Sequence, residues 1–243
     1  MRPSEGAGGR NRLLNALAPA DMALLEPYLE PVELRAGEVL FAPGDDVVHV
    51  TFPDRPAVAA LVLNLREGES AEGAMIGWEG AIGGIISAGD KPAFTHGIVQ
   101  VTGRGARLPV DRLDQAKQQS VALRDHFARY ADCLLAQVLQ TVACNSAHEL
   151  DARLARWLLA LQDRIGSDRL AITHEFVAQM LGVRRSYVSK ILNRLEGTGA
   201  IRGGRGSITI LDRARLTAQA CECYETLRRH FERVLAAAPP DGG

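Results

Sequence analysis

The chain is short of the features that would place it in several large classes. Its 243 residues include four cysteines, Cys133, Cys144, Cys221 and Cys223, and none lies before position 133. No two of them stand in a CxxC or zinc-finger spacing, so a structural metal is not expected. Cys221 and Cys223 are two apart and should point to different faces of a helix, and the four read as reduced thiols of a cytosolic protein. No apolar run reaches the length of a membrane span, and the N-terminus, MRPSEGAGGRNR, lacks the apolar stretch of a signal peptide. The expected location is therefore cytoplasmic. There is no nucleophile elbow, P-loop, HExxH or paired-acid motif. The glycine-rich stretches GAGG and WEGAIGG do not precede a helix as a dinucleotide site demands, so the chain is not expected to be an enzyme. A global positive charge is also missing. With 28 Lys and Arg against 29 Asp and Glu, the net charge is −1, and any affinity for nucleic acid must come from a local patch.

What is present falls into three regions, and the length suits one large or two small domains. Short helices are expected over Arg12–Leu17 and Ala20–Leu29. From Val32 to about Val110, apolar segments of four to six residues alternate with Gly, Pro and Asp, the mark of a β-sandwich or barrel. Gly68, Gly73, Gly77, Gly80, Gly83 and Gly84 crowd its middle and suggest tight corners. From Asp111 the pattern turns helical. Ser120–Asn145 contains no Gly or Pro and predicts one long helix with two apolar stripes. One runs through Leu123, Phe127, Tyr130, Leu134, Gln137, Thr141 and Cys144, the other through Ala131, Leu135, Val138 and Val142. A helix of this length with two apolar stripes needs two apolar partners, so one stripe should meet the chain's own barrel and the other a second copy. The first stripe, Leu123 to Thr141, is taken as the dimer interface. Further helices are expected over Glu149–Ile165, with Trp157, Leu158 and Leu161 inward, and over Asp212–Leu235. Residues 1–10 and 238–243 are expected to be disordered.

The most specific segment is His174–Leu195, HEFVAQMLGVRRSYVSKILNRL. It reads as two short helices joined by a tight turn. Ala178 is small enough for a close crossing, and Gly182 is free to take a positive φ in the turn. Val177, Leu181, Val183, Val188 and Ile191 supply the apolar contact. The second helix opens with Arg184, Arg185 and Ser186, although the helix dipole disfavours cations there and a Ser or Asp cap would serve better. Tyr187, Ser189 and Lys190 follow. A helix-turn-helix presents that turn to base edges in the major groove. IRGGRGSITILD (201–212) follows directly and reads as a two-stranded hairpin with Arg202 and Arg205 near its tip. Helix-turn-helix plus basic hairpin is a winged helix that binds double-stranded DNA.

Three segments, GEVLFAPGDDVVHVTF (37–52), MIGWEGAIGG (75–84) and ITHEFVAQMLGVRRSYVSKILNRLEGTGAI (172–201), give the chain a resemblance to the Crp/Fnr family of bacterial transcription regulators. The resemblance covers about Leu13 to Leu235. It implies an α+β fold: an N-terminal β-roll (a double-stranded β-helix, jelly-roll-like) over 12–119 as a cyclic-nucleotide-binding-like sensor, a dimerisation helix over 120–147, and a winged helix-turn-helix over 148–236. It further implies a homodimer on a two-fold symmetric operator, with RNA polymerase as a partner if the protein is an activator. By position, Arg185, Ser186 and Lys190 match base-edge readers and Thr173 a phosphate contact, with His174, Arg184, Tyr187, Ser189, Arg202 and Arg205 beside them. The family's inputs are poorly matched. Ala93 and Phe94 stand where cyclic-AMP binders carry Arg and Ser, and Phe94 should fill the phosphate's space. An iron–sulfur cluster lacks its N-terminal cysteines. A haem would need an axial ligand such as His49 or His96. No cofactor is therefore expected. The alternative is a cyclic-nucleotide-binding-like subunit that acts through protein contacts.

Overall fold

A computed structural model describes residues 9–64, 70–83 and 92–236. Two compact units result, and they do not follow chain order. One combines Met1–Ala60 with Ile76–Arg124, the other Leu61–Met75 with Asp125–Gly243. Gly68, Gly84, most of the REGES turn, residues 1–8 and residues 238–243, about which the sequence carried expectations, lie outside the described residues.

The first unit opens with α1 (Arg12–Asn15), α2 (Pro19–Leu25) and a 3-10 turn (Glu26–Tyr28). Asn11 fixes this entry. Its side-chain oxygen accepts from Leu14 N (3.1 Å), and its amide donates to the carbonyls of Pro53 (2.9 Å) and Gly80 (2.8 Å). Its backbone N donates to the Asp54 carboxylate at 2.7 Å. Burial pushes the Asp54 carboxyl up from its ordinary value, while the Asn11 N–H and the Arg10 charge pull it back.

Strands follow as the alternating pattern requires: β1 (Glu30–Leu34), β2 (Val39–Phe41), β3 (His49–Pro53), β4 (Val58–Asn64), β5 (Ser70–Ile76), β6 (His96–Val101) and β7 (Gly103–Pro109). They form an antiparallel sheet β1-β7-β3 and a four-stranded sheet β2-β6-β4-β5. Gly105 sits between Val32 of β1 and Pro53 of β3, where a side chain would strike the backbone of Phe52. Leu34, Ala57 and Val99 make one buried cluster, and Val47, Ala93 and Val110 another. The β-roll expected from the resemblance is consistent with these two sheets. Phe94, however, is 84 % exposed, so it fills no pocket. A single aromatic residue outside any periodic pattern carries no sign of which way it points.

α3 (Val110–Gln119) leads to α4 (Val121–Ala147), whose first turn is capped by the Ser120 hydroxyl accepting from Leu123 N at 3.1 Å. Both stripes exist, and the one expected to meet a second copy is largely covered within the single chain. Leu123, Phe127, Tyr130 and Gln137 are buried within the single chain, and Leu134 and Thr141 are half-buried. Gln137 is held by a bond from its amide to Met75 O at 3.0 Å. Leu135, Leu139 and Val142 stand 57–60 % exposed on one face instead. Spacing alone defines two stripes; only the packing tells which one the chain has already covered.

The second unit continues with α5 (Leu150–Ile165), β8 (Arg169–Leu170), α6 (His174–Leu181), α7 (Arg185–Gly197), β9 (Ile201–Gly204) and β10 (Ser207–Ile210). Trp157, Leu158 and Leu161 are buried, and Trp157 donates its indole N–H to Glu72 at 3.1 Å. The helix expected over Asp212–Leu235 is in fact two, α8 (Arg213–Gln219) and α9 (Cys223–Ala236). Ala220 takes an extended conformation (ψ 153°), which ends α8. The break carries no Gly or Pro, so nothing local in the sequence marks it.

Candidate nucleic-acid interface

α6 starts at Thr173, whose hydroxyl accepts from Phe176 N at 3.1 Å. It stops at Gly182, which adopts the left-handed conformation (φ 64°, ψ 41°). There Val183 N reaches back to Ala178 O (3.0 Å) and Gly182 N to Gln179 O (3.3 Å), a Schellman closure. This closure sets the turn into α7. Val177, Ala178 and Leu181 on α6 and Val188, Ile191, Leu192 and Leu195 on α7 are buried. Two ties from outside the motif hold it in place: the Arg153 guanidinium donates to Leu181 O (3.3 Å), and Arg194 pairs with both oxygens of Asp151 on α5 (2.5 and 2.7 Å).

The N-terminus of α7 behaves as the sequence implied. Arg184 occupies the cap position and makes no side-chain cap bond. Arg184, Arg185, Ser186, Tyr187 and Lys190 are all exposed. Arg185 has one loose ionic neighbour, Glu175 at 3.8 Å, with both side chains about 70 % exposed. Such a pair is worth little in water and leaves the guanidinium available. Lys190 lies 5.9 Å above the Tyr187 ring. The uncapped first turn also directs backbone N–H groups and the positive dipole end outward, an arrangement that suits phosphate.

Not every candidate is equally free. His174 Nδ1 and the Ser189 hydroxyl lie 3.0 Å apart, so each already has a partner. Thr173 is exposed but spends its oxygen on the cap. In the hairpin, Ser207 pairs with Gly204 and Ile210 with Ile201, and β8 joins the far edge of β10. Arg205 and Gly206 form the tip, with Gly206 at φ 67°, and Arg202 and Arg205 are exposed. Glu196 on α7 accepts from Gly203 N at 3.1 Å and ties the hairpin to the second helix. The sequence did not single out Asp151, Arg153, Arg194 or Glu196 as supports. Charged residues on amphipathic helices look like ordinary solvated surface until their partners are known.

Residues 152–219 match the family described as the Crp-like helix-turn-helix domain. Over 226 residues, 87 % of the chain, the sequence is 25 % identical to a CRP-like cAMP-activated global transcriptional regulator of Mycobacterium tuberculosis, 97 % of which is covered. The fold is shared with FixK2 of Bradyrhizobium japonicum (TM-score 0.68, 18 % identity, 79 % of this chain and 98 % of that one). It is likewise shared with a crp/fnr family regulator of Eubacterium rectale (TM-score 0.63, 20 % identity, 90 % of this chain and 98 % of that one). The exposed basic turn thus sits inside a Crp-like helix-turn-helix domain, and the chain that carries it shares the fold of solved Crp/Fnr-family regulators.

Proposed function

We propose that two copies of the chain pair along α4 and read a two-fold symmetric DNA site with their α7 helices. The observation that carries this reading is the exposed, uncapped, cationic first turn of α7, whose charges have no strong partner among the described residues. Arg185 is the reader, placed for a bidentate contact to guanine O6 and N7, with Ser186 and Lys190 beside it. Arg184, Arg202 and Arg205 serve phosphates, and with Thr173 they set register and affinity. The exposed face of Leu135, Leu139 and Val142 covers its twin in the dimer. Selection of binding sites from random duplexes tests the proposal. A recovered palindrome with two equal half-sites supports it, whereas a single unpaired half-site or no enrichment overturns it.

The M. tuberculosis relative is named as cAMP-activated. For this chain we infer that cyclic AMP is not the input. A cyclic phosphate buried in a β-roll needs a fixed cation and hydroxyl or amide donors. Ala93 offers no side-chain donor and Phe94 points to solvent. A cleft of about 140 Å³ in the first unit is lined, among the described residues, by Glu38, Asp46 and His49, and the arginine among them, Arg107, pairs with Glu30 at 3.2 Å. Two carboxylates and a committed guanidinium are a poor receptor for an anion.

A further inference from the structure

The end of α4 and the break between α8 and α9 bring together four side chains that spacing had kept apart. Cys144 and His148 stand four residues apart at the end of α4 and just beyond it. Cys221 and Cys223 flank the turn that begins α9. The Cys144 and Cys221 sulfurs are 3.5 Å apart across 77 positions of sequence, and Cys223 Sγ is 3.5 Å from His148 Nδ1. All four potential ligand atoms lie within 4.8 Å of one another. The three thiols are buried.

From this geometry we propose that Cys144, His148, Cys221 and Cys223 form a Cys3His site for a zinc ion that clamps the end of α4 to the start of α9. A tetrahedral centre with Zn–S of about 2.3 Å and Zn–N of about 2.0–2.1 Å spaces its ligand atoms by about 3.5–3.8 Å. The Cys223–His148 separation matches the sulfur–nitrogen spacing, and the Cys144–Cys221 sulfurs lie slightly closer than a sulfur–sulfur spacing of about 3.8 Å. Three sulfurs and one imidazole are a donor set for zinc and not for magnesium or calcium, which take oxygen.

The surroundings are those of a metal-bound set. His148 turns its other nitrogen, Nε2, to the Glu222 carboxylate at 3.1 Å. That bond places the proton on Nε2 and leaves the Nδ1 lone pair facing the sulfurs, the arrangement found behind metal-binding histidines. The Gln140 amide donates to Cys223 Sγ at 3.0 Å, which suits a thiolate. Zinc with three thiolates and a neutral imidazole carries one net negative charge. Arg156 is buried close by, its Nε has no hydrogen-bond acceptor, and its charge acts on Cys144. A negative cluster would neutralise it. On binding, the three thiols release their protons to solvent and no redox change is involved. Cys133 lies outside the group, with burial and the Asp132 charge pushing its thiol up to about 12, and serves as the internal control.

The test uses the full chain. Protein purified under reducing conditions without chelators is assayed for bound metal. It is then stripped and titrated with Co(II), followed by Zn(II). The expected result is one zinc per chain. The cobalt form should show intense tetrahedral d–d bands and thiolate charge-transfer bands, and zinc should displace it. Cys144→Ser, Cys221→Ser and Cys223→Ser should each lose charge-transfer intensity and bind zinc at least about 100-fold more weakly, with Cys133→Ser unchanged. Because Glu222 is largely exposed, Glu222→Gln keeps the fold and should weaken zinc about 10–100-fold if the carboxylate orients His148. The proposal is overturned by a weak octahedral cobalt spectrum or by zinc affinity that Cys144→Ser and Glu222→Gln both leave intact. It is equally overturned by iron with acid-labile sulfide after anaerobic purification, or by a Cys144–Cys221 disulfide in a chain whose reduced form takes up no metal.

Discussion

The Ser189 hydroxyl on α7 lies 3.0 Å from Nδ1 of His174, the first residue of α6, and this contact ties α7 to the helix before it. Ser189 is therefore expected to act as a support more than as a reader. Ser189→Ala should lower stability by about 1 kcal/mol and weaken all DNA sequences alike, because one partly buried hydrogen bond is lost and the presented surface is otherwise kept. Urea unfolding and binding to a set of singly substituted operators check this. A changed preference at one base pair would instead make Ser189 a reader.

Arg185 and Arg205 should respond differently. Arg185→Ala removes a guanidinium held only by a loose pair to Glu175, and should weaken the selected operator by about 1–3 kcal/mol while relaxing preference at one position per half-site. Arg205→Ala, at the hairpin tip, should weaken cognate and random DNA alike and flatten the dependence on salt. Titrations at several salt concentrations separate the two, and unchanged operator binding by Arg185→Ala removes α7 from its role.

Leu135→Glu places a charge on the exposed α4 face. In a paired seam that charge is desolvated, so the dimer should dissociate, whereas the monomer's own packing is untouched because the position faces solvent. Sedimentation at micromolar protein should show a dimer for the natural chain and a monomer for the variant. A natural chain that sediments as a monomer, with or without DNA, sinks the α4 pairing.

Asn11→Ala should be among the most damaging changes in the first unit. It removes a helix cap and leaves the carbonyls of Pro53 and Gly80 without their buried donor. The loss should be about 2–4 kcal/mol, from one cap and two unsatisfied acceptors. Chemical denaturation measures it, and a loss within experimental error would mean water replaces the side chain.

Isothermal titration with cyclic AMP addresses the sensor. No heat of binding is expected at ligand concentrations up to the millimolar range. A dissociation constant in the low micromolar range or tighter would place a phosphate receptor in the β-roll despite Ala93 and the two acidic residues of its cleft.

Much of this protein was legible in its sequence, because the features concerned are local. The long helix follows from an uninterrupted run without Gly or Pro, and the strands from apolar segments broken by turn residues. The helix-turn-helix follows from Ala178, Gly182 and the apolar set around them, each specified within a few residues of its neighbours. Other features depended on which distant groups meet. Two stripes on α4 are equivalent in sequence, and packing within the chain chose the one that stays free. Phe94 had no periodic neighbours to give its direction. The cysteines show the same limit most clearly. A two-residue spacing on a continuous helix would separate Cys221 from Cys223, but the extended backbone at Ala220 ends that helix. It thereby turns both toward Cys144 and His148, more than 70 positions away, a juxtaposition that exists only once the chain has folded.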